Sequence, residues 1–153
     1  MSHAEITDDD IDELVRLNQD AASAIIRGDM KRYLELIHHA DDYTLMPPSG
    51  GETRRGFDRS EENVAEMARF FRNGEAEVEL VQTYASGDLV VLVVVERQHG
   101  EVGDLPDRDW SLRVTLVFRR AGTGWELAHR HADLLVNPIS LEQAAALTRG
   151  SDV

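Results

Sequence analysis

The sequence predicts an α+β domain in which three helices from the N-terminal half lie on one face of a curved, mainly antiparallel sheet. Three observations predict it. Apolar residues recur at helical spacing up to about residue 72; the period shifts to two from Glu75; and four segments rich in Val, Leu and Thr then follow one another with turn residues between them.

The elements follow in chain order. From Ile11 the apolar positions Leu14, Val15, Ala21, Ala22, Ile25 and Ile26 form one helical stripe, with acids crowding the first turn, where they suit the helix dipole. Gly28 closes this helix and Asp29 caps a short second one running to about Ile37. Asp42 to Met46 suits a short strand, and Pro47 to Gly56 (PPSGGETRRG) is a loop on composition. A third helix is expected over 58–72, with Val64, Met67, Ala68 and Phe71 on its apolar stripe and Gly74 beyond its end. Strands are expected over 76–85, 88–99, 110–120 and 125–136, broken at Ser86-Gly87-Asp88, Gly100 to Pro106 and Ala121 to Gly124. Ser140 with Gln143 has the form of a capping box for a last helix over 141–147.

The chain's 153 residues suit a single domain spanning 1–153, with its core at about 10–136. It carries 29 acidic and 16 basic side chains, a net charge of −13. That balance opposes binding to nucleic acid or an anionic membrane, where cations replace phosphate counterions. Residues 1–20 hold seven of the acids and one base, so much of the charge is a solvated helix surface rather than a partner site. The absence of cysteine excludes disulfides, thiolate metal sites and cysteine nucleophiles. The opening MSHAEITDDDIDEL is acidic where an export signal is basic, and the longest apolar run, Leu89 to Val95, is far short of a span; the expected location is cytoplasmic. That run (LVVLVVV) is apolar at every position, so both strand faces need cover, and the helices cover one. A homodimer partner is the simplest cover for the other.

The helix–Gly-Asp–helix opening IIRGDMKRYLELI, the ADDYTL segment, the four-strand run and the ending GWELAHRHADLL resemble the nuclear transport factor 2-like superfamily. Within it the chain is most similar to SnoaL-like domains related to ketosteroid isomerases and polyketide cyclases, over about residues 10–136. The resemblance implies a cone-shaped fold, a ligand or active site between sheet and helices, and dimerisation through the sheet. It does not decide activity, because one scaffold serves isomerases, cyclases, dehydratases, assembly modules and plain binding proteins. Ketosteroid isomerisation needs an inward Asp base and a Tyr plus a protonated Asp as oxyanion donors. Aligned on the shared segments, those three positions fall on Pro47, Ala21 and near Thr115, so that mechanism is rejected.

His129, His131 and Asp133 are the sharpest chemical feature. On a strand they share a face, which Trp125 and Leu127 are expected to continue as the apolar end of a pocket wall. The group suits His-based acid/base chemistry, with His131 as acid/base and Asp133 orienting a histidine. A core or interface histidine is the plainer alternative. A competing reading is an HxHxD metal site with Glu96 or His99 as fourth ligand, though no further His follows His131 to complete a cupin-type set; no resident cofactor is implied. Arg113 would hold an oxyanion if it shared the His face. Pairing Arg119 with Trp125 would set Arg113 against His131 and Thr115 against His129; pairing Arg120 with Trp125 would turn Arg113 away.

Tyr43 and Asp42 lie on the segment that borders the cavity in the resembling domains, Tyr43 as a hydrogen-bond donor and Asp42 as a base if desolvated. Glu96 ends the apolar run and either reaches the cavity or pairs with an arginine. His38-His39 reads as a helix C-terminus, where positive charge is structural. Trp110, Phe57, Phe70 and Phe71 read as core or cavity lining. The expected function is a small-molecule pocket for a mostly apolar carbonyl or carboxylate compound, with a non-enzymatic dimerising module as the alternative.

Overall fold

The computed structural model describes residues 5–148. Helix α1 spans Asp8–Arg27 and α2 Met30–Leu36, followed by strands β1 (His39–Met46) and β2 (Arg54–Arg55), helix α3 (Glu61–Phe70), strands β3 (Phe71–Ser86), β4 (Leu89–Val102), β5 (Leu105–Asp109), β6 (Leu112–Ala121) and β7 (Gly124–Leu134), and helix α4 (Leu141–Thr148). The α+β class is as expected. The sheet order is β2-β1-β7-β6-β4-β3, with β5 added beside β4. Every pairing is antiparallel except β1 with β7, which is parallel.

Local chemistry accounts for the departures from the expected boundaries. Helix α1 begins a turn early because Thr7 and Asp10 close a reciprocal capping box at 2.9 and 3.1 Å. Helix α3 starts late, capped by Ser60, and stops at Phe70 because Phe71 is already extended. Gly74 therefore does not terminate a helix. It lies inside β3, where a Cβ would collide with the His99 carbonyl and Ile26, so α1 rests directly on the strand backbone. The break expected at Gly100 to Pro106 is instead a hairpin of β4 and β5, turning at Gly103 with φ +59°. The expected cap of α4 is present, as Ser140 and Gln143 exchange bonds of 2.9 and 3.1 Å.

Among the described residues, helices cover one face of the sheet and leave the other open. Val90, Leu92, Val94 and Glu96 of β4 and Leu112, Val114, Leu116 and Phe118 of β6 are buried together with Leu14, Ala21 and Ala24 of α1. The intervening Val91, Val93, Val95, Thr115 and Val117 are only half-buried, and Tyr84 on β3 is 60% exposed. No helix among the described residues is long and apolar enough to cross a membrane.

Candidate functional site

The position of every chemical group depends on one irregularity in β7. Leu127 pairs with Phe118, but the next pair is His129 with Val117, leaving Ala128 as an extra residue. Such a bulge reverses which side chains face which way along the rest of the strand. Before it, Trp125 and Leu127 face the helices with the core; Arg120 stacks over the Trp125 ring at 4.6 Å. After it, Arg130 and Ala132 face the helices, and His129, His131 and Asp133 turn to the uncovered face. Trp125 and Leu127 therefore do not continue the histidine face, which corrects the expected pocket wall.

The same bulge removes the choice between the two registers. Arg120 does pair with Trp125, yet Arg113 pairs with Asp133 and Thr115 with His131, so both still share the histidine face. Arg113 Nη2 lies 3.5 Å from Asp133 Oδ2, and His131 Nε2 lies 3.4 Å from Asp133 Oδ1. His129 Nδ1 is 2.7 Å from Thr44 Oγ1 on β1. These residues lie together on the side of the sheet away from the helices, and the Arg113, His131 and Asp133 side chains are about half exposed or more. Asp42 is on this side as well, gripped by Arg119 at 2.6 and 3.2 Å. Hydrogen bonding from Arg119 holds its carboxyl below the ordinary value, so a desolvated Asp42 base is excluded. Glu96 and the histidines point to opposite faces, and His99 is bound to Asp107 at 2.8 Å; neither completes an HxHxD ligand set. Among the described residues no group of three His, Asp or Glu side chains is placed to hold a metal ion.

The helix-facing side holds a different constellation. Glu96, 2% exposed, accepts two hydrogen bonds from Arg130, at 2.8 and 2.9 Å. This two-pronged geometry is the strong form of the pair. Burial works to lower the Arg130 pKa, but attraction to Glu96 outweighs it and the guanidinium is held charged. Both phenols beside the pair are buried: Tyr33 from α2 and Tyr43 from β1. Burial raises the pKa of each, for Tyr33 with a further push from Tyr43, so both keep their protons.

His39 joins this set from the start of β1. Its Nε2 lies 2.8 Å from Tyr33 Oη, its ring stacks on Phe57 at 3.9 Å with planes 1° apart, and Tyr43 meets it edge-on at 4.7 Å. Desolvation first, then the charges of Arg59 and His38, push its pKa down to about 4, so the ring is neutral at pH 7. Tyr43 and Glu96 were marked in the sequence. Tyr33, His39 and Arg130 were not. Arg130 sits between two histidines, and alternation gives it the face opposite theirs. Two open clefts at the surface, one between α1 and β3 around Gln19, Ser23 and Arg27 and one around Arg97 and Gln98, contain none of these groups.

Comparison with known proteins agrees with this architecture. The sequence profile of the SnoaL-like domain matches residues 14–136, so the chain belongs to the SnoaL-like domain family. A solved structure from Streptomyces avermitilis, described as a candidate dehydratase of the NTF2-like family, is 21% identical, with TM-score 0.67 over 86% of this chain and 100% of that one. An NTF2-like superfamily protein from Salmonella enterica serovar Typhimurium is 16% identical, with TM-score 0.69 over 86% and 94%. A protein with a cystatin-like fold from Caulobacter vibrioides is 21% identical, with TM-score 0.60 over 90% and 97%. At these identities the likeness shows the fold. No curated protein matches the chain at a significant level.

Proposed function

We propose that the protein binds or transforms a small, mostly apolar molecule on the helix-facing side of the sheet, and that the molecule presents an uncharged oxygen acceptor to the Tyr33, His39, Tyr43, Glu96 and Arg130 set. The observation that carries the reading is the buried Glu96–Arg130 pair with its two protonated phenols. A stable core does not need such a group, since well-packed apolar residues serve as well or better. Convergent polar groups in an apolar interior, with shifted pKa values, are what a ligand site requires. Glu96 cancels the charge of Arg130 and the other three groups are neutral, which favours a carbonyl over a carboxylate. If the protein is catalytic, Tyr43 and His39 would act on a developing oxyanion, with Tyr33 holding the His39 ring in place.

The test is titration of the intact chain with acetophenone and with benzoate, followed by nuclear magnetic resonance. Acetophenone should perturb Tyr33, Tyr43 and Arg130 and leave His131→Ala as responsive as the wild type. Perturbation confined to His129, His131 and Asp133 would remove this reading.

A specific observation also favours a second reading, a dimerising module without catalysis. Phe57 packed flat on His39 fills the interior with the protein's own side chains. In either reading the uncovered face, with Val91, Val93, Val95 and Val117 half-buried and Tyr84 exposed, is proposed as the homodimer face. The Arg113, Thr115, His129, His131 and Asp133 cluster would then border that interface rather than a pocket. A cytoplasmic location stays part of this proposal.

A further inference from the structure

We infer that His39 presents a buried N–H, at Nδ1, to the oxygen acceptor of the bound molecule, and so sets which molecules the helix-facing site accepts; the inference rests on that site being the binding site.

The hydrogen bonds at the His39 ring decide which nitrogen carries the proton. His39 Nδ1 is buried and has no partner among the described residues, while Nε2 is 2.8 Å from Tyr33 Oη. A neutral imidazole carries one proton, and the bond made by one nitrogen decides which nitrogen holds it. If Tyr33 donates to Nε2, the proton lies on Nδ1 and one buried donor is left over. If Nε2 donates to Tyr33, the phenol proton and the Nδ1 lone pair are both left over. Buried polar groups are paired wherever geometry allows, so the first arrangement is preferred. It also agrees with the raised pKa of Tyr33, whose proton is firmly held, and with the neutral state of His39.

The surroundings restrict how that N–H can be used. Phe57 covers a face of the ring and Tyr43 approaches it edge-on, so an acceptor must meet Nδ1 in the ring plane. A carbonyl oxygen in an otherwise flat apolar molecule meets that demand. An anion would enter a set whose charges already cancel, and its own desolvation would go uncompensated. The charge of Arg59, which acts on His39, belongs to an exposed residue and would hold a carboxylate at the surface. The neutral ring is then a hydrogen-bond donor to the acceptor rather than a base.

The experiment has a ligand-free arm and a ligand arm, both on the full chain. Long-range ¹⁵N spectra of the histidine rings at pH 7 should place the His39 proton on Nδ1, with Tyr33→Phe mixing the tautomers. A proton on Nε2 in the wild type overturns the inference whatever binds. On titration with acetophenone the His39 Nδ1 signal should move, and His39→Phe, which keeps a ring to stack on Phe57, should bind roughly 2- to 10-fold more weakly, the range of one net hydrogen bond. Equal affinity in His39→Phe and wild type, with Tyr43 and Arg130 still perturbed, overturns the role of His39 and leaves the site standing. No perturbation of His39, Tyr43 or Arg130 overturns both.

Discussion

Arg130 on β7 reaches across β6 to grip Glu96 on β4, closing a two-pronged ion pair beneath the helices. The pair ties together three neighbouring strands from the buried side. It depends on the bulge at Ala128, since without that extra residue Arg130 would face outward and a histidine inward.

Removing one member should cost far more than removing both. Arg130→Met leaves Glu96 buried without a partner, and a loss of about 3–5 kcal/mol is expected. The double variant Glu96→Met with Arg130→Met should recover most of that loss, because apolar residues of similar volume replace a buried pair well. Urea unfolding of the four proteins in this cycle checks the outcome. A double variant as unstable as the single one would mean that the pair is needed for the fold itself.

Acid should weaken the protein in a window set by His39. Its folded pKa, about 4, lies below the ordinary 6.5, so between those values the unfolded chain binds the extra proton. Stability therefore falls as pH drops from 6.5 towards 4. His99 has the opposite sign: hydrogen bonding to Asp107 raises its pKa, so its contribution is complete below 6.5 and is lost at higher pH. The lowered carboxyls of Asp10, Asp42, Asp58 and Asp109 act only below their ordinary value of 3.8. Chemical denaturation from pH 7 to 4.5 should show the decline in wild type and a flatter profile in His39→Phe.

The uncovered sheet face predicts self-association. Light scattering at micromolar concentration should give about twice the 17.2 kDa chain mass. Val93→Glu, at a half-buried position on that face, should shift the particle towards the single-chain mass with its circular dichroism unchanged. A wild-type particle of single-chain mass would contradict the dimer.

The fold was legible because its signals are local. The stripe of α1, the Gly28-Asp29 punctuation, the Val-rich run of β4 and the Ser140–Gln143 cap each declare an element within a few residues. The candidate site was legible only in part. Tyr43 was marked because its segment borders the cavity in the resembling domains, and Glu96 because it ends the apolar run of β4. The histidine group was given to the pocket because alternation was carried unbroken from Trp125 to Asp133, and a bulge at an ordinary alanine leaves no mark in sequence. His39 was passed over as a helix-end residue, whereas α2 ends at Leu36 and β1 has begun at His39. Its importance comes from Tyr33 and Phe57, six and eighteen positions away, which only the folded chain brings to it.

The ligand side of this SnoaL-like domain is proposed to be the helix-facing side of the sheet. A crystal structure of the protein soaked with acetophenone tests it most directly. Density for the ketone is expected beside Tyr43 and Arg130, with its oxygen within hydrogen-bond distance of His39 Nδ1 and Phe57 still stacked on the His39 ring. Density seated instead against His129, His131 and Asp133, with none beside His39, would contradict it.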